Sequence, residues 1–239
     1  MTMALPISTT PTYNLTIPST GKNVKYRPFL VKEEKALLIA QQSEDPIVMV
    51  DTIKNIINSC IQADIDVNTL ATFDIEYIFA QIRAMSVGEV VDLIFYCDDC
   101  TSEDAKVQLQ FDLTKLKVEK PDGHTNNIEL FDDIGVIMKY PSIETITKLQ
   151  NLDDANVENI FDIVIDCIDY IYDSDQMFYA KDYTKEELEQ FLENMTSEQF
   201  GKIQSFFETM PKIRQKVDYT CPVCNKQHNK VLEGIQSFF

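Results

Sequence analysis

The stretch Val90-Val91-Asp92-Leu93-Ile94-Phe95-Tyr96-Cys97-Asp98-Asp99-Cys100 decides how this chain is read. Its first seven residues are mostly β-branched or aromatic, the composition of a strand, and they run straight into a C-x-x-C knuckle. After a polar turn, Lys106-Val107-Gln108-Leu109-Gln110-Phe111-Asp112-Leu113 alternates polar with apolar, the pattern of a half-buried strand. Strand, knuckle, strand predicts a β-hairpin with two thiols at its tip. Further on, Val217-Asp218-Tyr219-Thr220 enters a second knuckle, Cys221-Pro222-Val223-Cys224, which Val231-Leu232 leaves.

Four of the six cysteines therefore sit in two paired knuckles. A two-residue gap lets both thiolates of a knuckle reach one metal ion, and two knuckles complete a closed tetrahedral zinc site. Cys97, Cys100, Cys221 and Cys224 are the expected ligands of a structural zinc, with His228 and His124 as reserve ligands. About 120 residues separate the pairs, where zinc sites usually have about 15–20. The intervening chain would then be an insertion into a split zinc-ribbon-like element formed by residues near 90–113 and 217–234. Packed thiols without metal, and thiol redox chemistry, are the alternatives. Cys60 and Cys167 lie in apolar helical runs and read as buried thiols.

The composition is that of an ordinary globular protein: 44% hydrophobic and 25% charged. No apolar run is long enough for a transmembrane helix, and no basic region precedes an apolar one at the start, so a signal peptide is not expected. Synthesis in a reducing cytoplasm follows, where paired cysteines favour metal over disulfide. The net charge of −18 argues against nucleic acid and anionic membranes as partners and favours cationic protein surfaces.

Residues 1–28 hold four of the nine prolines and read as an extended arm, or as a strand along the chain's own domain. Residues 29–239 read as a single α+β domain, mostly helical. Val31 to Gln42 is helical. Asp45-Pro46 marks a new N-cap and first turn, followed by Ile47, Val50, Ile53, Ile57 and Ile61 at helical steps to about Ala63. Phe73 to Ala84 is bulky on more than one face, hence central to the core. Asn127 to Tyr140 predicts a strand pair. A helical insertion is expected over 142–215, starting with a Ser142-capped helix through Leu149. A strong helix follows through Val157, Ile160, Phe161, Val164, Ile165, Ile168 and Ile171. Thr184-Lys185-Glu186-Glu187 and Thr196-Ser197-Glu198-Gln199 match the capping-box pattern. The closing Ile235-Gln236-Ser237-Phe238-Phe239 is apolar, so it packs inward or meets a partner.

Little in the sequence speaks for catalysis. Two histidines and six glycines leave no nucleophile–base pair or phosphate-cradling loop to nominate, so no catalytic residue and no small-molecule substrate is assigned. Charge is unevenly spread. Between Asn151 and Glu198, fourteen acidic side chains face only Lys181 and Lys185, interleaved with Phe161, Tyr170, Tyr172, Phe178, Tyr179 and Tyr183. That pattern suits either a solvated face or docking to a basic partner.

Several stretches together carry a resemblance: Lys25-Tyr26-Arg27-Pro28-Phe29-Leu30-Val31-Lys32-Glu33-Glu34-Lys35, Phe73-Asp74-Ile75-Glu76-Tyr77, Gln81-Ile82-Arg83-Ala84, Ser86-Val87-Gly88-Glu89 and Met138-Lys139-Tyr140-Pro141. In order and spacing they resemble the baseplate hub-assembly proteins of T-even-type contractile-tailed bacteriophages. The resemblance runs from about Leu15 to Phe239 and includes both cysteine pairs, while the proline-rich front is longer than it leads one to expect. It implies a non-catalytic assembly factor or minor hub component that binds other baseplate hub proteins. The implied location is the host cytoplasm during assembly, with the virion tail baseplate as the second place. A permanent structural baseplate subunit and a zinc or thiol-redox enzyme are the rival readings.

Overall fold

The computed structural model describes residues 9–145, 157–234 and 237. In chain order come strands β1 (Tyr13–Thr16) and β2 (Asn23–Tyr26), then helices α1 (Val31–Ser43), α2 (Pro46–Cys60) and α3 (Thr72–Val87). Strands β3 (Val90–Tyr96), β4 (Lys106–Asp112), β5 (Val118–Glu119), β6 (Asn127–Phe131) and β7 (Ile134–Met138) follow. Next are α4 (Val157–Asp166), β8 (Ile168–Tyr172), β9 (Met177–Tyr179), α5 (Lys185–Glu193), α6 (Ser197–Glu208), β10 (Lys212–Thr220) and β11 (Gln227–Glu233). The class is α+β, as expected. Eleven strands against six α-helices among the described residues replace the expectation of a mostly helical chain.

Two compact units emerge. Unit 1 takes the chain up to Val67, Phe73–Lys117 and the chain from Ile213 onward; unit 2 takes Asn68–Thr72 and Val118–Lys212. The long segment of unit 2 begins at Val118, ahead of the expected 142, ends at Lys212, close to the expected 215, and carries a sheet of its own.

Unit 1 begins with a correction. Instead of an extended arm, residues 13–26 form an antiparallel hairpin with Leu15 opposite Val24. Leu15, Ile17, Val24 and Tyr26 are all buried, because their alternation gives the pair one apolar face. Gly21 closes the turn at φ +68°, a left-handed conformation open to glycine. The turn is pinned to α3, where Ser19 N donates to Asp74 Oδ1 at 2.9 Å. Of the front, residues 1–8 lie outside the described residues.

Asp45 caps α2 by accepting from Ile47 N at 2.8 Å, with Pro46 in the first turn. Glu33 is buried at the start of α1, where it accepts from Leu30 N (2.8 Å) and from Arg27 (2.9 Å). Helix α3 is central to the unit 1 core, with Phe73, Ile75, Ile78, Phe79, Ala80, Ile82 and Ala84 buried. Cys60 is fully buried, and burial pushes its thiol up to about 11.

Unit 2 is built on an antiparallel sheet of order β6-β7-β8-β9. The predicted strand pair across Asn127–Tyr140 is β6 and β7. The predicted long helix stops at Asp166: Cys167 N still bonds back to Ile163 O, but Lys139 N takes Cys167 O at 2.7 Å and starts the β7–β8 ladder. Ile168-Asp169-Tyr170-Ile171-Tyr172 satisfies a two-residue period as well as a helical one, and its β-branched and aromatic side chains favour the strand. Asp169 therefore sits on a strand, and Asp173 just beyond its end. Both predicted capping boxes form, at Thr184 with Glu187 and at Thr196 with Gln199. On β6, Lys202 Nζ donates to Glu129 O and Leu130 O, a cation that blunts an edge strand. Beyond Thr145 the predicted Ser142-capped helix lies outside the described residues, as do Asp153, Asp154 and most of 235–239.

The unit 2 core gathers Val136, Met138, Val164, Ile168, Leu192, Ile203 and Phe206. Beside it, His124 is 7% exposed and stacks on both Tyr140 and Phe206, which also stack on each other. Thr209 Oγ1 donates to Ser205 O (2.7 Å), so it accepts from His124 Nδ1 at 2.9 Å. Nε2 is then the acceptor for Tyr140 O–H at 3.0 Å. This is a neutral imidazole with both nitrogens used, and not a reserve metal ligand. Burial lowers its pKa, helped by Lys120.

A sign follows for pH. The unfolded chain binds a proton on His124 that the fold resists, so stability is lost as pH falls through about 6.5, the ordinary histidine value. Urea unfolding from pH 7.5 to 5 checks it: the gap between wild type and His124→Gln should narrow steadily towards pH 5. His124→Ala at pH 7.5 should cost roughly 2–4 kcal/mol, from the lost ring and its two hydrogen bonds.

Candidate metal centre

Within unit 1, β3 and β4 pair from Val90↔Asp112 to Tyr96↔Lys106, and β10 pairs β11 from Arg214↔Glu233 to Thr220↔Gln227. These registers put each knuckle at a hairpin tip, as predicted. Cys97 N donates to Ala105 O (2.9 Å), extending the first ladder by one rung. In the second tip, Cys221 N donates to Lys226 O and Asn225 N to Cys221 O. Asn225 takes φ +58° there, a conformation asparagine tolerates because its short side chain bonds locally.

The two tips meet. Cys97 Sγ lies 3.8 Å from Cys224 Sγ, and Cys100 Sγ lies 3.9 Å from Cys221 Sγ. All four sulfurs fall within 4.8 Å of one another. A tetrahedron with metal–sulfur bonds of about 2.3 Å has edges of about 3.8 Å, whereas a disulfide needs about 2.05 Å. The thiols are free and spaced for a metal ion. Cys97 and Cys221 are buried, Cys100 is half-buried and Cys224 is exposed.

A shell of contacts holds the tips together. Phe95, Val217 and Tyr219 form a small apolar cluster behind the sulfurs, and Tyr219 O–H donates to Tyr96 O at 2.9 Å. Lys226 Nζ pairs with Asp99 at 2.5 Å and Lys230 Nζ with Asp98 at 3.2 Å. His228 Nε2 lies 3.2 Å from Cys97 Sγ, its ring stacked on Tyr219 at 4.9 Å. With Cys97 as a thiolate, Nε2–H is the donor of an N–H···S bond that fixes the sulfur. His228 also groups with Cys97 and Asp99 in an alternative metal-holding set. The charge match of Asp98-Asp99 against Lys226 and Lys230 is a signal the spacing argument passed over.

Electrostatics separate the thiols. The Cys224 backbone N–H, with burial opposing and Val223 N–H assisting, holds Cys221 down to about 7. Cys100 is pushed up to about 12, first by its bond with the Cys224 thiol and then by burial. Burial raises Cys97 as well. One thiolate is favoured without metal, and accumulating more in one small volume is uphill until a cation enters. Cys60 and Cys167, both fully buried elsewhere, take no part. With four sulfurs, a tetrahedral ion is fully coordinated and keeps no position for a substrate.

A protein-family model described as T4 bacteriophage base plate protein matches residues 10–239 of this chain. No curated protein and no solved structure matches it. Among the described residues no helix is long and apolar enough to cross a membrane.

Cobalt(II) titration of the reduced, metal-stripped chain checks the site. One equivalent should produce the intense sulfur-to-metal absorption of a four-thiolate centre, and lowering the pH should weaken binding because the thiols must lose protons. Cys100→Ser should change or abolish that spectrum, and Cys60→Ser should leave it unaltered.

Proposed function

Because the chain belongs to the T4 bacteriophage base plate protein family, we propose that it is a non-catalytic hub component that binds other hub proteins while the tail baseplate is built. The observation that carries this reading is the extent of the family match, which spans both units and both knuckles. Work in the infected host cytoplasm follows from an assembly role. The metal would be a structural zinc on Cys97, Cys100, Cys221 and Cys224, closing a split ribbon of two hairpins. The sulfur spacing supports zinc, and four thiolates would fill its tetrahedral shell, in keeping with a non-catalytic role.

A permanent baseplate subunit is the second reading, favoured by the family description itself, which names the base plate and no stage of assembly. Copy number separates the two. An assembly factor is depleted from purified virions, whereas a resident subunit is present at a fixed ratio to the tail proteins.

Tagged full-length chain isolated from infected cells should carry tail proteins with it and about one zinc per chain. Recovery of the chain alone would sink the binding role, and zinc-free, fully folded protein would sink the structural metal.

A further inference from the structure

The charge imbalance of unit 2 has a place where it becomes chemistry. A cavity of about 390 Å³ opens between the β8–β9 end of the sheet and α5. Tyr172, Phe178, Tyr183 and Phe191 line it, and the charged groups in its wall are Asp173 and Glu187. Phe178 and Tyr183 meet edge to face at 6.4 Å. The aromatic wall depends on a glycine: a Cβ at Gly135 would lie 2.3 Å from the Tyr172 hydroxyl, which donates to Asn127 Oδ1 at 2.7 Å. Only a residue without a side chain lets that ring lie across the sheet.

Both carboxylates retain capacity to accept. Asp173 Oδ1 takes Asp175 N and Gln176 N, and Glu187 Oε2 takes Thr184 N. Among the described residues neither is paired with a lysine or arginine. The nearest lysines in sequence are engaged: Lys185 with Asp162 at 2.5 Å, and Lys181 over the Tyr179 ring at 5.4 Å. Tyr183 is among the exposed large aromatics, so the cavity's aromatic lining reaches the surface.

Resting on the hub-binding role above, we propose that this cavity receives an arginine side chain presented by a partner baseplate protein. Its guanidinium meets Asp173 and Glu187, and its stem lies among the aromatic rings. Arginine fits better than lysine because a planar guanidinium stacks on rings while its fork of donors serves two carboxylates. Aromatic walls around a desolvated charge are also where interface energy concentrates. Phosphate ligands are repelled by the same carboxylates.

The test uses the full-length chain and fluorescein-labelled hexapeptides that differ only in a central arginine, lysine or citrulline next to leucine. The variants are D173N/E187Q, whose amide oxygens keep the backbone bonds, and Tyr183→Ala; thermal unfolding confirms that they fold. Citrulline, or the double variant, should weaken binding about tenfold, the size of one charge-assisted pair. Equal affinity for arginine and citrulline peptides would overturn the proposal. In capture from infected cells, wild type should retain tail proteins that the double variant loses. Equal capture by both overturns the cavity's role and leaves hub binding intact. If wild type captures none, hub binding fails, and an arginine-selective peptide result still supports the cavity's chemistry. A wild-type homodimer broken by D173N/E187Q would make a second copy the occupant and overturn the partner proposed.

Discussion

Four sulfur atoms within 4.8 Å of one another, supplied by cysteines 121 and 127 residues apart in pairs, are the point at which the two hairpins of unit 1 meet. The apolar cluster behind them has only Phe95, Val217 and Tyr219 fully inside, too small a core to bring two hairpins together alone. Loop-closure entropy grows only with the logarithm of length, so a long insertion between the hairpins is cheap to carry. What is expensive is holding four thiols in one place with nothing between them. A bound cation would turn that cost into a cross-link, because it would bind the folded arrangement and not the open one.

The two units use charge differently. At the knuckles, Asp98 and Asp99 face Lys230 and Lys226 across the hairpins, so acidic and basic groups are matched within the fold. In unit 2, the stretch from Phe161 to Glu198 carries eleven carboxylates and two lysines. Its interior is neutral to the point of holding His124 uncharged. Charge in the first case is matched across the two tips; in the second most of it is left outward, where it would favour partners of opposite sign.

Local features were legible in the sequence. Asp45-Pro46, Thr184 and Thr196 announced helix starts because a cap is decided within four residues. The hairpins showed as alternation, and the cluster of four cysteines showed as two paired knuckles. Features decided at a distance were not. Leu15 and Val24 needed a partner strand before their prolines stopped suggesting an arm. Ile168 and Ile171 fit two periods, and only pairing with β7 chose between them. The ion pairs that lock the tips depend on the meeting of two hairpins, which no window of sequence contains. The same holds for the aromatic wall, where Gly135 and Tyr172 are partners across a ladder.

The order in which the ligands occur along the chain has a consequence for synthesis. Cys97 and Cys100 precede Val118–Lys212, and Cys221 and Cys224 follow it. At ordinary translation speeds the first pair waits on the order of ten seconds for the second. During that interval the whole of Val118–Lys212 is made and free to fold. A ribosome that stalls anywhere inside unit 2 releases a chain with two unmatched thiols and an unfinished scaffold. A metal ion on all four cysteines would therefore be captured only after translation has passed through the whole insertion.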